Sequence, residues 1–79
     1  VPEIVRLARC KICVYPGDHL PPHFHVRGPG VRVSIDIVTH KVLRGTGDKA
    51  AIGEAVAWAS IPEHRHRLLS EWRRLNERD

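Results

Sequence analysis

The stretch H-F-H-V-R-G-P-G-V-R-V-S-I-D-I, His23 to Ile37, decides how the chain folds. Val31, Val33, Ile35 and Ile37 alternate strictly with Arg32, Ser34 and Asp36, the mark of a strand with one buried face. Phe24 and Val26 alternate with His23, His25 and Arg27 in the same way. Between the two runs, Gly28-Pro29-Gly30 places proline second and glycine third in a four-residue turn, which favours type II geometry. Closing that turn with Gly28 opposite Val31 sets a register: Arg27 opposite Arg32, His25 opposite Ser34, and His23 opposite Asp36. The hairpin then has one apolar face and one polar face, the latter read as exposed.

The same period of two extends upstream. Ile4 to Leu7 and Lys11 to Tyr15 are short apolar-rich runs, and Tyr15 is followed by the turn signal Pro16-Gly17. Downstream, Lys41 to Arg44 reads as a fifth short strand after a turn around Thr39-His40. From Asp48, a capping residue, the period lengthens: Ile52, Ala55, Val56 and Ala59 recur at helical spacing with Trp58 at the edge of the stripe. Ser60-Ile61-Pro62-Glu63 resembles a fresh helix start, with serine as cap and glutamate at the capping-box position. Leu68, Leu69, Trp72 and Leu75 form the second seam, with Glu63–Arg67 and Arg73–Glu77 as (i, i+4) pairs on the wet side. The pattern predicts one α+β domain over residues 1–79. Residues 1–47 form an antiparallel sheet of four or five strands, and the helical pair in 48–79 packs on one face.

Composition narrows the function classes. No run of about 18 apolar residues exists that could span a bilayer. No signal peptide is visible; the chain opens on Val1 and lacks methionine, so its true start is expected to have been trimmed. The formal net charge is +4, and residues 1–47 hold the whole excess, seven bases (Arg6, Arg9, Lys11, Arg27, Arg32, Lys41, Arg44) against Glu3, Asp18 and Asp36. That asymmetry fits a nucleic acid or an acidic protein as partner. Cys10 and Cys13 have the spacing of a zinc or redox motif, but three residues along a strand leave their Cα atoms about 10 Å apart, beyond the roughly 7 Å a disulfide bridges. They read as small buried residues in a reducing, cytoplasmic setting.

The polar face concentrates the chemistry. Three of the six histidines and two of the six prolines fall in D-H-L-P-P-H-F-H-V-R, Asp18 to Arg27. Asp18 and His19 enter from a loop that Pro21-Pro22 holds extended. Opposite Asp36, His23 is expected to bond the carboxylate and act as a proton donor. Arg27 and Arg32 repel each other across the strands unless an anion, an acidic partner or a layer of water lies between them. Three readings follow. His23, His25, Asp36 and His19, with Arg27 and Arg32 on phosphoryl charge, are the parts of metal-independent RNA cleavage. H-x-H on a strand with a third histidine nearby is a metal-binding pattern. A polar sheet face can also simply dock another protein. The site assignment carries no metal and no cofactor. His40 reads as a turn residue, and His64 and His66 as solvent residues of the second helix.

The segments Y-P-G-D-H-L-P-P-H-F-H-V (Tyr15–Val26), S-I-D-I-V-T (Ser34–Thr39), V-L-R-G (Val42–Gly45), a helical W-A and the terminal W-R-R-L resemble a short prokaryotic family, the domain of unknown function 4160. Two departures are His40, where glycine commonly follows the threonine, and Thr46–Lys49, where a leucine-proline pair usually leads into the first helix. The resemblance implies the toxin half of a small toxin-antitoxin pair, an antitoxin-like small protein as partner, a cytoplasmic location and a bacterial source. RNA is the candidate target, and no membrane role is expected. The resemblance carries no mechanism, so the roles of the histidines rest on their chemistry alone.

Overall fold

The computed structural model describes residues 3–76. Five strands, β1 (Glu3–Arg6), β2 (Lys11–Cys13), β3 (His23–Gly28), β4 (Val31–Asp36) and β5 (Val42–Gly47), are followed by two helices, α1 (Lys49–Ala59) and α2 (Pro62–Asn76). The strands form one antiparallel sheet in the order β1-β2-β3-β4-β5, a meander in which each strand pairs with its neighbours in sequence. This is the expected α+β architecture. None of the described helices is long and apolar enough to cross a membrane.

The central hairpin has the register that its turn dictates. His23 pairs with Asp36, His25 with Ser34, Arg27 with Arg32, and Gly28 with Val31. Gly30 has φ 76°, the left-handed conformation that the third position of a type II turn requires. Strand β5 runs to Gly47 rather than stopping at Arg44, because its glycines let it approach β4 closely. At Gly45, where φ is 90°, a Cβ would lie 2.1 Å from the Arg32 carbonyl oxygen. The register slips between Ser34–Arg44 and Ile35–Val42, leaving Leu43 as the extra residue of a bulge.

One face of the sheet carries Ile12, Phe24, Val26, Val33 and Ile35, all essentially sealed from solvent. Helices α1 and α2 lie against it. The first helix contributes alanines, Ala51, Ala55 and Ala59, which allow close approach, and the second contributes Leu68 and Trp72. Burying side chains of this size contributes roughly 1.5 to 3 kcal/mol for each large aliphatic or aromatic group. The Asp48 carboxylate caps α1, accepting from the Ala50 N–H at 3.4 Å.

The start of α2 differs from expectation. The Ser60 hydroxyl donates back to the Ala57 carbonyl at 2.9 Å, so it closes α1 instead of capping α2. His64 is not a solvent residue: its ring stacks on Trp58 with centroids 4.0 Å apart, and its Nδ1 lies 2.8 Å from the Trp58 carbonyl. Arg67 donates to the Ile4 carbonyl at 2.9 Å and so ties α2 to the edge strand β1. The expected Arg73–Glu77 pair lies outside the described residues.

Candidate functional site

Alternation along β3 turns Phe24 and Val26 into the core and His23, His25 and Arg27 to the outer face. The face is not open, as the sequence had suggested. The Pro16–Pro22 loop folds back over the strand, and the side chains of His23 and His25 are each only 13% exposed. The loop is held from the far end of the chain. Asn76 accepts from the Asp18 N–H at 2.7 Å and donates to the carbonyls of Tyr15 and Trp72, both at 3.0 Å. Nothing in the sequence marks Asn76, because the loop partners it holds, Tyr15 and Asp18, lie some sixty residues away. With the loop so placed, Asp18 faces the histidines directly and is more than a support for the proline pair.

The Asp18 Oδ2 atom lies 3.0 Å from His25 Nε2 and 3.3 Å from His23 Nε2. The two imidazoles meet edge-on with centroids 5.1 Å apart, and Tyr15 meets His25 edge-on at 4.7 Å. On the other side of the His25 ring, Nδ1 lies 3.1 Å from Arg27 Nη2 and 3.3 Å from the Ser34 hydroxyl. A guanidinium can only donate, so Nδ1 accepts and Nε2 carries the proton that His25 gives to Asp18. His25 is thus a neutral imidazole with both nitrogens occupied. Burial pushes its pKa below the ordinary histidine value, the Arg27 and His23 charges push the same way, and Asp18 opposes them. Burial likewise raises the Tyr15 hydroxyl, with its hydrogen bond to Cys13 adding to the shift.

His23 Nδ1 lies 2.8 Å from the Pro21 carbonyl oxygen. A carbonyl only accepts, so this nitrogen bears a proton and Nε2 is left facing the Asp18 carboxylate. Asp36 is the correction to the expected constellation. It stands opposite His23 as the register requires, but its buried Oδ1 accepts from the backbone N–H groups of Val38 at 2.7 Å and Thr39 at 2.9 Å. A short polar side chain at a strand end bonds its own turn in preference to a cross-strand neighbour. His40, at φ 63°, completes that turn in a left-handed conformation.

Outside the triad the face is basic. Arg6 pairs with Lys11, Lys11 with Arg27, and Arg27 with Arg32, so four cations stand in one row across four strands. Arg6 is partly answered by Glu3 at 3.1 Å. The next row runs Cys13, His25, Ser34, Arg44. Of these residues Arg27, Arg32, His25, Ser34 and Arg44 wall an open cleft of about 510 Å³, with exposed His19 on its rim from the loop. A second cleft of about 300 Å³ adjoins it, lined by Arg6, Arg9 and Lys11, and Arg27 is common to both. Cys10 and Cys13 are free thiols, both buried.

A family model described as "Domain of unknown function (DUF4160)" matches residues 10–73, a span that holds the loop, the triad and all of the basic row except Arg6. No curated protein and no solved structure matches the chain.

Proposed function

This chain belongs to the DUF4160 family, and on that premise we propose that it is the toxin-like component of a two-protein bacterial module, acting through a site for RNA phosphates on the outer face of its sheet. The observation that carries this reading is the row of cations across the strands. Neighbouring strands lie about 4.8 Å apart, so directly opposed Lys11, Arg27 and Arg32 repel at short range, with Glu3 answering only the Arg6–Lys11 end of the row. A row of like charges is stabilised by an anion laid along it. A single-stranded phosphodiester backbone fits, since the row leads from one cleft into the other and the clefts share Arg27.

The cleft also speaks against the simplest acid–base scheme. Each nitrogen of His25 already has a partner, and Nδ1 of His23 is held by Pro21. The histidines therefore act together with Asp18 as one unit, in place of a separate acid and base. The role expected for an antitoxin-like small protein finds its support at β5, where Val42 and Leu43 are exposed on an edge strand next to Val38 and close to Leu20. A partner strand or helix seated there would cover the apolar rim of the cleft.

The test is binding of a fluorescent single-stranded RNA oligonucleotide over a salt series. If Lys11, Arg27, Arg32 and Arg44 each meet a phosphate, the slope of log K against log salt is about −2.8, at roughly −0.7 per contact. The Arg27→Gln, Arg32→Gln double variant should halve that slope to about −1.4. A slope near zero in the parent, or one unchanged in the variant, would remove the RNA reading. The cellular role is read separately: induced expression should arrest a bacterial culture, and the same variant at equal soluble level should not.

A further inference from the structure

We propose that Asp18, His23 and His25 form a binding site for one divalent transition-metal ion of the zinc class. Asp18, His23 and His25 each offer one donor atom, and the three atoms lie within 4.8 Å of one another. Two of the edges of that triangle are 3.0 and 3.3 Å. Around a tetrahedral zinc ion with bonds of about 2.0 to 2.2 Å, neighbouring donors stand roughly 3.3 to 3.5 Å apart. The side chains are therefore spaced nearly as an ion would hold them, and loading the site asks for little movement.

The surroundings point the same way. His23 turns its Nδ1–H to the Pro21 carbonyl at 2.8 Å, the outer bond that fixes the tautomer and leaves Nε2 free to ligate. Nε2 of His23 and Oδ2 of Asp18 face each other across 3.3 Å, so the two donor atoms already point to a shared position. The donors are held in place: both histidines stand on β3, and Asn76 anchors the backbone of Asp18. Two imidazoles and one carboxylate make a set for zinc, cobalt or nickel rather than for magnesium or calcium, which prefer oxygen throughout. Three protein donors would leave a fourth position for a water or an anion oxygen, and all three residues line the cleft of about 510 Å³. The sequence had pointed to a third histidine; the structure sets Asp18 at ligand distance and His19 on the rim.

Metal binding also moves Arg27. Once Nε2 of His25 ligates the ion, the ring proton sits on Nδ1, which can donate to the Ser34 hydroxyl at 3.3 Å but not to a guanidinium. Arg27, now 3.1 Å from that nitrogen, must swing away and is released toward the cation row.

The full chain, stripped with chelator and dialysed, would be titrated with zinc(II) by calorimetry and with cobalt(II) by visible absorption, without RNA present. One equivalent should bind with a Kd of micromolar or below, and cobalt should give the intense bands of a four-coordinate site. Asp18→Asn and His23→Ala should each weaken binding at least about tenfold. His66→Ala should leave it unchanged, and Arg27→Gln, which lifts the conflict at Nδ1, should tighten it several-fold. Absence of a one-to-one event, or affinity indifferent to both Asp18→Asn and His23→Ala, overturns the site. Circular dichroism checks that each variant is folded, and Asp18→Asn serves if His23→Ala is not. Because the readout is metal alone, the site stands or falls independently of RNA binding.

Discussion

Replacing Asp36 by alanine separates a structural carboxylate from a catalytic one. In the wild-type protein Oδ1 accepts two backbone N–H groups, from Val38 at 2.7 Å and Thr39 at 2.9 Å, at a position 9% exposed. A hydrogen bond to a charged group contributes roughly 1.5 to 3 kcal/mol. Val38 and Thr39 are exposed, so water takes over part of both bonds in the variant, and the loss falls at about 2 to 4 kcal/mol in total. A chain of this length has roughly 4 to 12 kcal/mol to lose, so the variant should surrender a large share of its stability. Asp36→Asn keeps an acceptor at the same place and should lose only about 1 kcal/mol. Urea unfolding followed by tryptophan fluorescence measures both, with a fall in Tm for Asp36→Ala of roughly 10 to 25 °C as the thermal counterpart. RNA binding by Asp36→Asn, measured well below its Tm, should equal that of the parent. If Asp36→Ala unfolds at the parental urea concentration while RNA binding or growth arrest is lost, the carboxylate belongs to the site and the turn assignment fails.

Two further outcomes probe the same reasoning elsewhere in the fold. Burial pushes the Cys10 thiol up to about 11 from an ordinary value near 9, with the hydrogen bond from its Sγ to Glu54 adding to the shift. The folded state thus holds the proton more tightly than the unfolded chain. The associated stability is whole below pH 9 and is lost as pH rises through 11, so Tm should fall across that window in the parent and less steeply in Cys10→Ala. Iodoacetamide at pH 8 should leave Cys10 unmodified in the folded protein, and alkylation at the rate of a free thiol would refute its burial. His40→Gly should be neutral to stabilising by up to about 1 kcal/mol, because a left-handed L-residue costs roughly 1 to 2 kcal/mol and glycine returns part of that as unfolded-state entropy. A clear loss of Tm would mean that the His40 ring contributes to the turn.

The strand register was legible because a period of two admits no compromise. Once Gly28 and Val31 close the turn, every pair from Arg27–Arg32 to His23–Asp36 follows, and each of those pairs is present. What could not be read was the direction in which a side chain spends its hydrogen bonds. Asp36 had two candidates, the histidine across the strand and the backbone two residues on, and the local partner won because the turn brings those N–H groups to it at no further entropic cost. Asp18 shows the reverse case. Its placement over His25 depends on a loop tied down by Asn76, a contact across 58 positions that no local pattern announces. The motif Asp18–His25 thus holds three residues that the structure brings together, while the pairing among them is decided by the far end of α2. The same dependence makes Asn76 a positioning residue: any substitution that frees the loop should disperse the triad, weakening metal binding without touching a donor atom.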